Sequence, residues 1–253
     1  MIDEREFIKN GDIMSKSTGK LILAANSIGL LQDIPTRSLI ALKTSDELIF
    51  EEDRPARQAL KAAGIHREYT KLTEHLESDT LEQFETAILN GKSVCYMSDQ
   101  GMPTLADPGG ALLKIAYSLG AKVEIIPGPS SISTALSACP FDISRFNYIG
   151  FLERDQQQRQ NELVTLAKST HEPLVFLDTP YRRKALLGAI TNAFGKKRKA
   201  MLALDISGQH EEYIYEDLGI LAQLDYPKLN FVLVVEGKSN PDRKLRPSKK
   251  RRV

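Results

Sequence analysis

The chain has 253 residues, of which 42% are hydrophobic and 26% charged, and its formal net charge at pH 7 is +1. This composition is typical of a globular protein with one or two domains. Its two cysteines, Cys95 and Cys139, lie in apolar segments, so we expect buried thiols and no disulfide framework, and no His/Cys spacing predicts a metal site. Because there is neither an apolar leader nor an apolar run of about 20 residues, we expect a cytoplasmic protein that does not span a membrane.

The first half of the chain alternates apolar runs of strand length with segments of helical periodicity. This alternation predicts the α/β class with a largely parallel sheet. We predict strands within 20–29, 46–53, 93–99 and 122–128, and helices within 36–45, 56–64, 81–91, 111–120 and 131–139.

The second half ends in consecutive strands, which predicts a mixed sheet with antiparallel partners. The predicted strands are 146–153, 173–180, 199–207, 211–218 and 229–237, and the predicted helices are 154–169 and 181–195. We therefore expect a flexible lead-in over 1–19, an N-terminal α/β domain over 20–142, a C-terminal α/β domain over 143–238 and a disordered basic tail over 239–253.

The tail is the most basic part of the sequence. From Arg243 to Val253 it carries seven Lys/Arg residues and no acid. Such a run is either a solvated tail or a sequence-independent grip on nucleic acid phosphates.

Three loops lie where predicted parallel strands end, at 26–29, 98–109 and 127–131. Ligands of parallel α/β sheets collect at the carboxyl ends of the strands. Glycines in such loops let a ligand approach the backbone, and prolines keep the loops rigid. The pattern favours a nucleotide-like ligand, and the alternative is three tight turns that bind nothing. The usual dinucleotide and P-loop fingerprints are absent.

Taken in order, these segments resemble the tetrapyrrole methylase superfamily of S-adenosylmethionine (SAM) methyltransferases. The closest likeness is to the branch that 2′-O-methylates a cytidine of small-subunit ribosomal RNA. "SDQGMPTLADPG" (98–109) is similar to that branch's "SDAGTPLISDPG", and "FLDTPYR" (176–182) stands where the branch has "FYESTHR". The resemblance covers about residues 20–238. It implies two α/β/α domains with SAM in the cleft between them, and a homodimer.

The resemblance also implies which residues serve the site. The implied SAM-binding residues are Ile28, Gly101, Met102, Pro103, Leu105, Ser131, Ile132, Leu177, Ala203, Leu204 and Phe231. Catalytic candidates at matching positions are His75, Asp178 and Glu52, with Asp53 and Asp205 as further carboxylates. His75 is favoured as the base because histidine titrates near neutrality, and an ordinary loop histidine is the alternative. An Asp178–Arg182 structural pair explains Asp178 equally well.

Three functions are compatible with these residues. The first is a SAM-dependent ribose methyltransferase that acts on ribosomal RNA or the small ribosomal subunit. The second is a methylase of a tetrapyrrole-like small molecule, for which a cationic tail has no clear use. The third is a non-catalytic SAM- or RNA-binding relative, because several polar family positions differ; Met102, for example, stands where the branch has threonine.

Overall fold

The computed structural model describes residues 18–73, 77–105 and 109–238. Their contacts divide the chain into two compact units, one formed by the chain up to Asn26 with Ile34–Gly128, the other by Ser27–Asp33 with the chain from Pro129. Each unit contains one five-stranded sheet, which confirms the predicted α/β class. The predicted basic tail and the predicted base His75 lie outside the described residues, as do most of the predicted lead-in and positions 106–108 of the loop 98–109.

The first unit has a fully parallel sheet with the strand order β3-β2-β4-β1-β5. Its elements are β1 (Lys20–Ala24), α1 (Thr36–Thr44), β2 (Glu47–Phe50), α2 (Asp53–Ala63), β3 (Thr70–Lys71), α3 (Glu77–Leu89), β4 (Ser93–Met97), α4 (Gly110–Ser118) and β5 (Lys122–Ile126).

Helices cover both faces of this parallel sheet. Ile22 and Ala24 of β1 belong to the apolar cluster that contains residues of α1 and α2, whereas Leu21 and Leu23 belong to the cluster of α3 and α4. Successive strand residues point to opposite faces, so a strand buried on both faces is apolar throughout. This explains the uninterrupted apolar runs of β1 and β4.

The second unit has a mixed sheet with the order β6-β7-β10-β8-β9. Of its pairs of neighbouring strands, β6–β7 is parallel and the other three are antiparallel. Its elements are a 3-10 helix (Leu31–Asp33), α5 (Ser131–Ser137), β6 (Asn147–Gly150), α6 (Gln156–Ser169), β7 (Leu174–Asp178), α7 (Arg183–Phe194), β8 (Lys199–Leu204), β9 (Glu212–Asp217), α8 (Leu218–Leu221) and β10 (Phe231–Val235). The apolar cluster on one face contains residues of α5, and that on the other contains residues of α6, α7 and α8.

The helix α5 belongs with the second sheet rather than the first. Its residues Ile132, Ala135 and Leu136 pack with side chains of β7, β8 and β10. The contact-based division of the chain therefore falls after Gly128. The predicted domain boundary after residue 142 lies further along the chain and stays a prediction.

Three short elements were not predicted: the 3-10 helix Leu31–Asp33, the edge strand β3 and the one-turn helix α8. All three are too short for a periodic apolar pattern, and tertiary contacts hold β3 and α8 in place. The amide of Leu72 donates to Phe50 at the end of β2, and the amide of Leu218 donates to Arg198. The strand predicted over 20–29 ends at Ala24, because the next residues turn toward the loop after β4.

In the described part of the chain, no helix has both the length and the apolar character needed to cross a bilayer. Cys95 is buried and Cys139 only half-buried, and neither forms a disulfide. The prediction of two buried thiols is thus wrong for Cys139. Its thiol reaches the Ala135 carbonyl at 3.3 Å, and partial burial raises its pKa to about 12.

Gly109 and Gly110, at the start of α4, give a matched test of core packing. A Cβ on Gly109 would lie 2.3 Å from Cε1 of Tyr96, whose ring is fully buried, whereas a Cβ on Gly110 would meet no atom within 4 Å. We expect Gly109→Ala to lower the free energy of unfolding by about 1–3 kcal/mol through overpacking. Gly110→Ala should be neutral or stabilising by up to about 1 kcal/mol. Equal urea-unfolding midpoints for the two variants would contradict this packing.

Candidate functional site

In the first unit the candidate site lies at the carboxyl edge of the parallel sheet. Because β1, β2, β4 and β5 are parallel, the segments that follow them meet at one edge. Those segments contain Asn26, Glu52, the loop 98–105 and Gly128. The structure therefore brings together the predicted residues Glu52, Gly101, Met102, Pro103 and Leu105.

Asn26 holds the loop after β4 in position. Its backbone N–H donates to the Gly101 carbonyl at 2.8 Å, and its side-chain amide donates to the carbonyls of Ser98 and Asp99, both at 3.0 Å. Asn26 is only 4% exposed and Ser98 is fully buried. Buried donors and acceptors that lose their partners are costly, so these bonds fix the loop at a defined shape.

The loop itself has an unusual backbone on either side of Pro103. Gly101 has φ +69° and Thr104 φ +71°, a region that favours glycine. Leu105 at the end of this stretch is 46% exposed, which is high for a large apolar side chain. The loop thus offers the exposed apolar side chain of Leu105 to a ligand.

Met102 uses its side chain to connect two loops. Its sulfur accepts the N–H of Gly128, after β5, at 3.3 Å. A Cβ on Gly128 would lie 2.5 Å from the Ala25 Cβ and 2.8 Å from Cγ of Pro35, so a larger residue does not fit there. The methionine therefore has a structural role at the position where the resemblance implies threonine.

The carboxylates of this edge have different surroundings. Asp99 accepts the N–H of Glu52 at 3.2 Å, and burial raises the pKa of its carboxyl although that hydrogen bond opposes the effect. Asp53 accepts the Tyr69 hydroxyl at 2.9 Å and Lys71 at 3.2 Å, and these hydrogen bonds lower its pKa. Glu52 is exposed, and its side chain does not cap α2. Of these three carboxylates, Glu52 is the most accessible to a substrate.

In the second unit the predicted residues gather at one end of the mixed sheet. The strands β7 and β8 run in the same direction because β10 is antiparallel to both. In the register, Phe231 pairs with both Asp178 and Leu204, and Val232 pairs with both Leu177 and Ala203. Five predicted residues therefore lie in two adjacent rows at the carboxyl ends of β7 and β8.

Their side chains divide between the two faces of the sheet. Ile28, Ile132, Leu177 and Ala203 belong to the apolar cluster that contains α5. Leu204 and Phe231 are buried in the opposite cluster, against α6, α7 and α8. A ligand at this edge can meet the side chains of Ile28 and Leu177, which are only half-buried. The other four residues are buried and offer it their backbone. Ser131 begins α5 and is half-buried.

Asp178 is enclosed by its neighbours. Its side chain is 1% exposed; one carboxylate oxygen accepts the Thr179 N–H at 2.8 Å, and the other lies 3.4 Å from Nε of Arg182. This geometry orients the guanidinium of Arg182. It supports the structural pair that was the alternative interpretation of Asp178.

Sequence reasoning missed how the segment Ser27–Asp33 is held. The amide of Leu30 donates to the Ser207 carbonyl at 2.8 Å, and the Ser207 hydroxyl contacts the Asp33 carboxylate. A Cβ on Gly29 would lie 2.2 Å from the Ser207 carbonyl oxygen. This close approach explains why position 29 is a glycine. Ile28 packs in the apolar cluster on the face of the second sheet that α5 covers, the α5 face.

Asp205 shapes the turn between β8 and β9. It has φ +45°, and its carboxylate accepts the N–H of His210 at 2.9 Å. A Cβ on Gly208 would collide with that carboxylate, at 2.2 Å from its carbon. The only sequence signal for this turn is the run of polar and small residues after β8.

Replacement of Asn26 tests how the first loop is held. Asn26→Asp removes the two side-chain N–H bonds and turns a carboxylate oxygen toward two carbonyl oxygens. We expect the free energy of unfolding to fall by about 2 kcal/mol. The control Asn192→Asp, on an exposed position of α7, should change it by less than about 0.5 kcal/mol. An unchanged urea midpoint for Asn26→Asp would show that the amide does not hold the loop.

Comparison with known proteins agrees with this architecture. The chain is similar to "Ribosomal RNA small subunit methyltransferase I" of Xylella fastidiosa, with 32% identity over 234 residues, covering 88% of this chain and 84% of the relative. It is also similar to the protein of the same name from Leptospira borgpetersenii, with 33% identity, covering 86% of this chain and 87% of the relative.

Among solved structures, a cobalt precorrin-4 methyltransferase of cobalamin biosynthesis superposes with a TM-score of 0.66 at 14% identity, covering 89% of this chain and 98% of that one. That similarity shows the shared fold. The family model "Tetrapyrrole (Corrin/Porphyrin) Methylases" matches residues 20–222. These findings confirm the predicted fold and the predicted methyltransferase class: the chain belongs to the tetrapyrrole methylase family.

Proposed function

We propose that this protein uses SAM to methylate ribosomal RNA of the small ribosomal subunit, at a ribose 2′-hydroxyl. The observation that carries the proposal is the similarity over 88% of the chain to a protein named ribosomal RNA small subunit methyltransferase. A solved structure with the same fold is a tetrapyrrole-modifying enzyme, but at 14% identity it supports the fold and not the substrate.

The residues present fit SAM. Gly128 is exposed and carries no side chain, so a ligand can reach the backbone after β5, and Leu105 presents an exposed apolar side chain at the same edge of the sheet. The proposed backbone contacts are Gly101, Met102 and Pro103 in the first unit and Ile132, Ala203, Leu204 and Phe231 in the second. The proposed side-chain contacts are Leu105, Ile28, Ser131 and Leu177. These side chains are mostly apolar and suit the adenine ring and the aliphatic carbons of SAM.

When bound, SAM supplies an electrophilic methyl group on a sulfonium. The chain must align the acceptor oxygen with that methyl carbon, because the displacement is in line. The chain would also have to accept the proton that the 2′-hydroxyl loses when it takes up the methyl group. Glu52 is the exposed candidate for the acceptor of that proton. His75 stays a prediction, and the buried Asp178 serves by orienting Arg182.

The cytoplasmic location stays a prediction. The homodimer that the family resemblance implies stays a prediction as well.

Methyl transfer to ribosomal subunits tests this function. Small subunits from a strain that lacks the protein are incubated with the purified chain and methyl-labelled SAM, and the RNA is digested to nucleosides. We expect label in one nucleoside that is methylated on its ribose. Label in a tetrapyrrole and not in RNA would favour the small-molecule alternative. SAM binding without any incorporation would favour a non-catalytic relative.

A glycine pair adds a matched test of the cofactor site. Gly101 in the loop and Gly120 at the end of α4 have φ +69° and +65°, so alanine brings similar backbone strain of about 1–2 kcal/mol at both positions. Only Gly101→Ala should weaken SAM binding, by about tenfold, because the new Cβ would hinder the close approach of SAM to the loop backbone. Equal SAM affinities of the two variants, measured by calorimetry, would contradict the assignment of this loop.

A further inference from the structure

Tyr181 is the most exposed of the large apolar side chains in the described part of the chain, at 77%. It lies three residues after Asp178, beyond the carboxyl end of β7 and beside the edge that holds Leu204 and Phe231. Single exposed apolar side chains are common on proteins. What distinguishes this one is how firmly it is held and what surrounds it.

A tight turn holds the tyrosine outward. The N–H of Arg182 donates to the Thr179 carbonyl at 3.0 Å, which makes Pro180 and Tyr181 the central residues of a four-residue turn. Proline presets the backbone of the first central position. The preceding residue is also fixed, because the Thr179 N–H donates to the buried Asp178 carboxylate. The ring is therefore presented on a backbone that loses little freedom when a ligand binds.

One cation lies near the ring, and another follows it in the chain. Nζ of Lys228 lies 4.8 Å from the ring centroid of Tyr181, in a cation–π contact. The adjacent Arg182 is oriented by Asp178. Arg183 donates to the carbonyls of Tyr226 and Pro227 at 2.6 and 2.9 Å, which ties the segment that carries Lys228 to the start of α7.

We propose that Tyr181 is a stacking platform for a base of single-stranded RNA next to the methylated nucleotide, with Lys228 and Arg182 directed to the flanking phosphates. The inference rests on the proposed function and extends it to how the substrate is recognised. Proteins that read unpaired RNA stack bases on exposed aromatic rings and hold the backbone with cations. Tyr181 has that composition: it is an exposed aromatic ring at the edge of the candidate site, with Lys228 beside it and Arg182 next in the chain.

Substitution of the ring separates stacking from other roles. The probe is an unmethylated single-stranded RNA that contains the nucleotide on which the enzyme acts. Tyr181→Ala should raise the Kd for this RNA by about tenfold, since each stacked base contributes at that level. Tyr181→Phe keeps the ring and should bind within about twofold of the wild type. Tyr117→Ala removes another exposed tyrosine, 66% exposed on α4, and should leave RNA binding unchanged.

Two further readouts identify the step that changes. The KM for RNA should rise in Tyr181→Ala more than kcat falls, whereas the Kd for SAM should stay the same. A 2-aminopurine placed beside the methylated nucleotide should be quenched by the wild type and by Tyr181→Phe, but not by Tyr181→Ala.

The outcomes separate this inference from the function on which it rests. If the wild type binds and methylates the RNA and Tyr181→Ala does so equally well, the stacking platform is refuted and the proposed function stands. If the wild type neither binds nor methylates RNA, the proposed function and the stacking role of Tyr181 are both refuted.

Discussion

The candidate site of the first unit depends on the hydrogen bonds of Asn26. One buried side chain and its own N–H satisfy three carbonyls of the loop after β4, at Ser98, Asp99 and Gly101. A loop of this kind, with glycine and threonine at positive φ, would have many conformations in isolation. Because its carbonyls are buried with Asn26, only the conformation that satisfies all three avoids a large desolvation penalty.

In the second unit, a different set of polar contacts fixes the conformation of the loops. Ser207 anchors Ser27–Asp33 through its carbonyl and its hydroxyl, and Asp205 shapes the turn in which Ser207 lies. Apolar side chains of the α5 face then stand at the end of β7 and β8, beside the buried Asp178. In both units, polar residues fix the backbone of the loops, and the side chains offered to a ligand are mainly apolar. Such a site tolerates changes of side chain, which fits Met102 where the resemblance implies threonine.

The α/β class with a largely parallel sheet in the first half could be predicted because buried parallel strands are apolar on both faces. The runs around β1 and β4 are apolar throughout, and the helices between them follow a helical period. The face of the sheet to which a side chain points was harder to predict. Leu204 and Phe231 match the family pattern, yet their side chains lie in the apolar cluster of α6, α7 and α8 and not in that of α5. A family match fixes the position of a residue along the chain, whereas the register of the sheet decides what its side chain contacts.

The residues that hold the loops could not be predicted from the sequence. Asn26 follows an apolar strand, and nothing in its neighbourhood shows that its partners lie more than 70 residues away. The contact between Leu30 and Ser207 joins residues even further apart. Long-range polar contacts of this kind have no periodic pattern, since each depends on the meeting of two loops. For the same reason, an isolated Asp178–Arg182 spacing could not distinguish a base from a structural pair.

A crystal structure of the chain with SAM tests the central claim most directly, that a fixed loop backbone binds the cofactor. The account predicts SAM against the backbone of Gly101, Met102 and Pro103, with the bonds from Asn26 to the loop unbroken. Binding of SAM away from this loop would contradict it, and so would a bound loop in which Asn26 has released the Ser98 and Asp99 carbonyls.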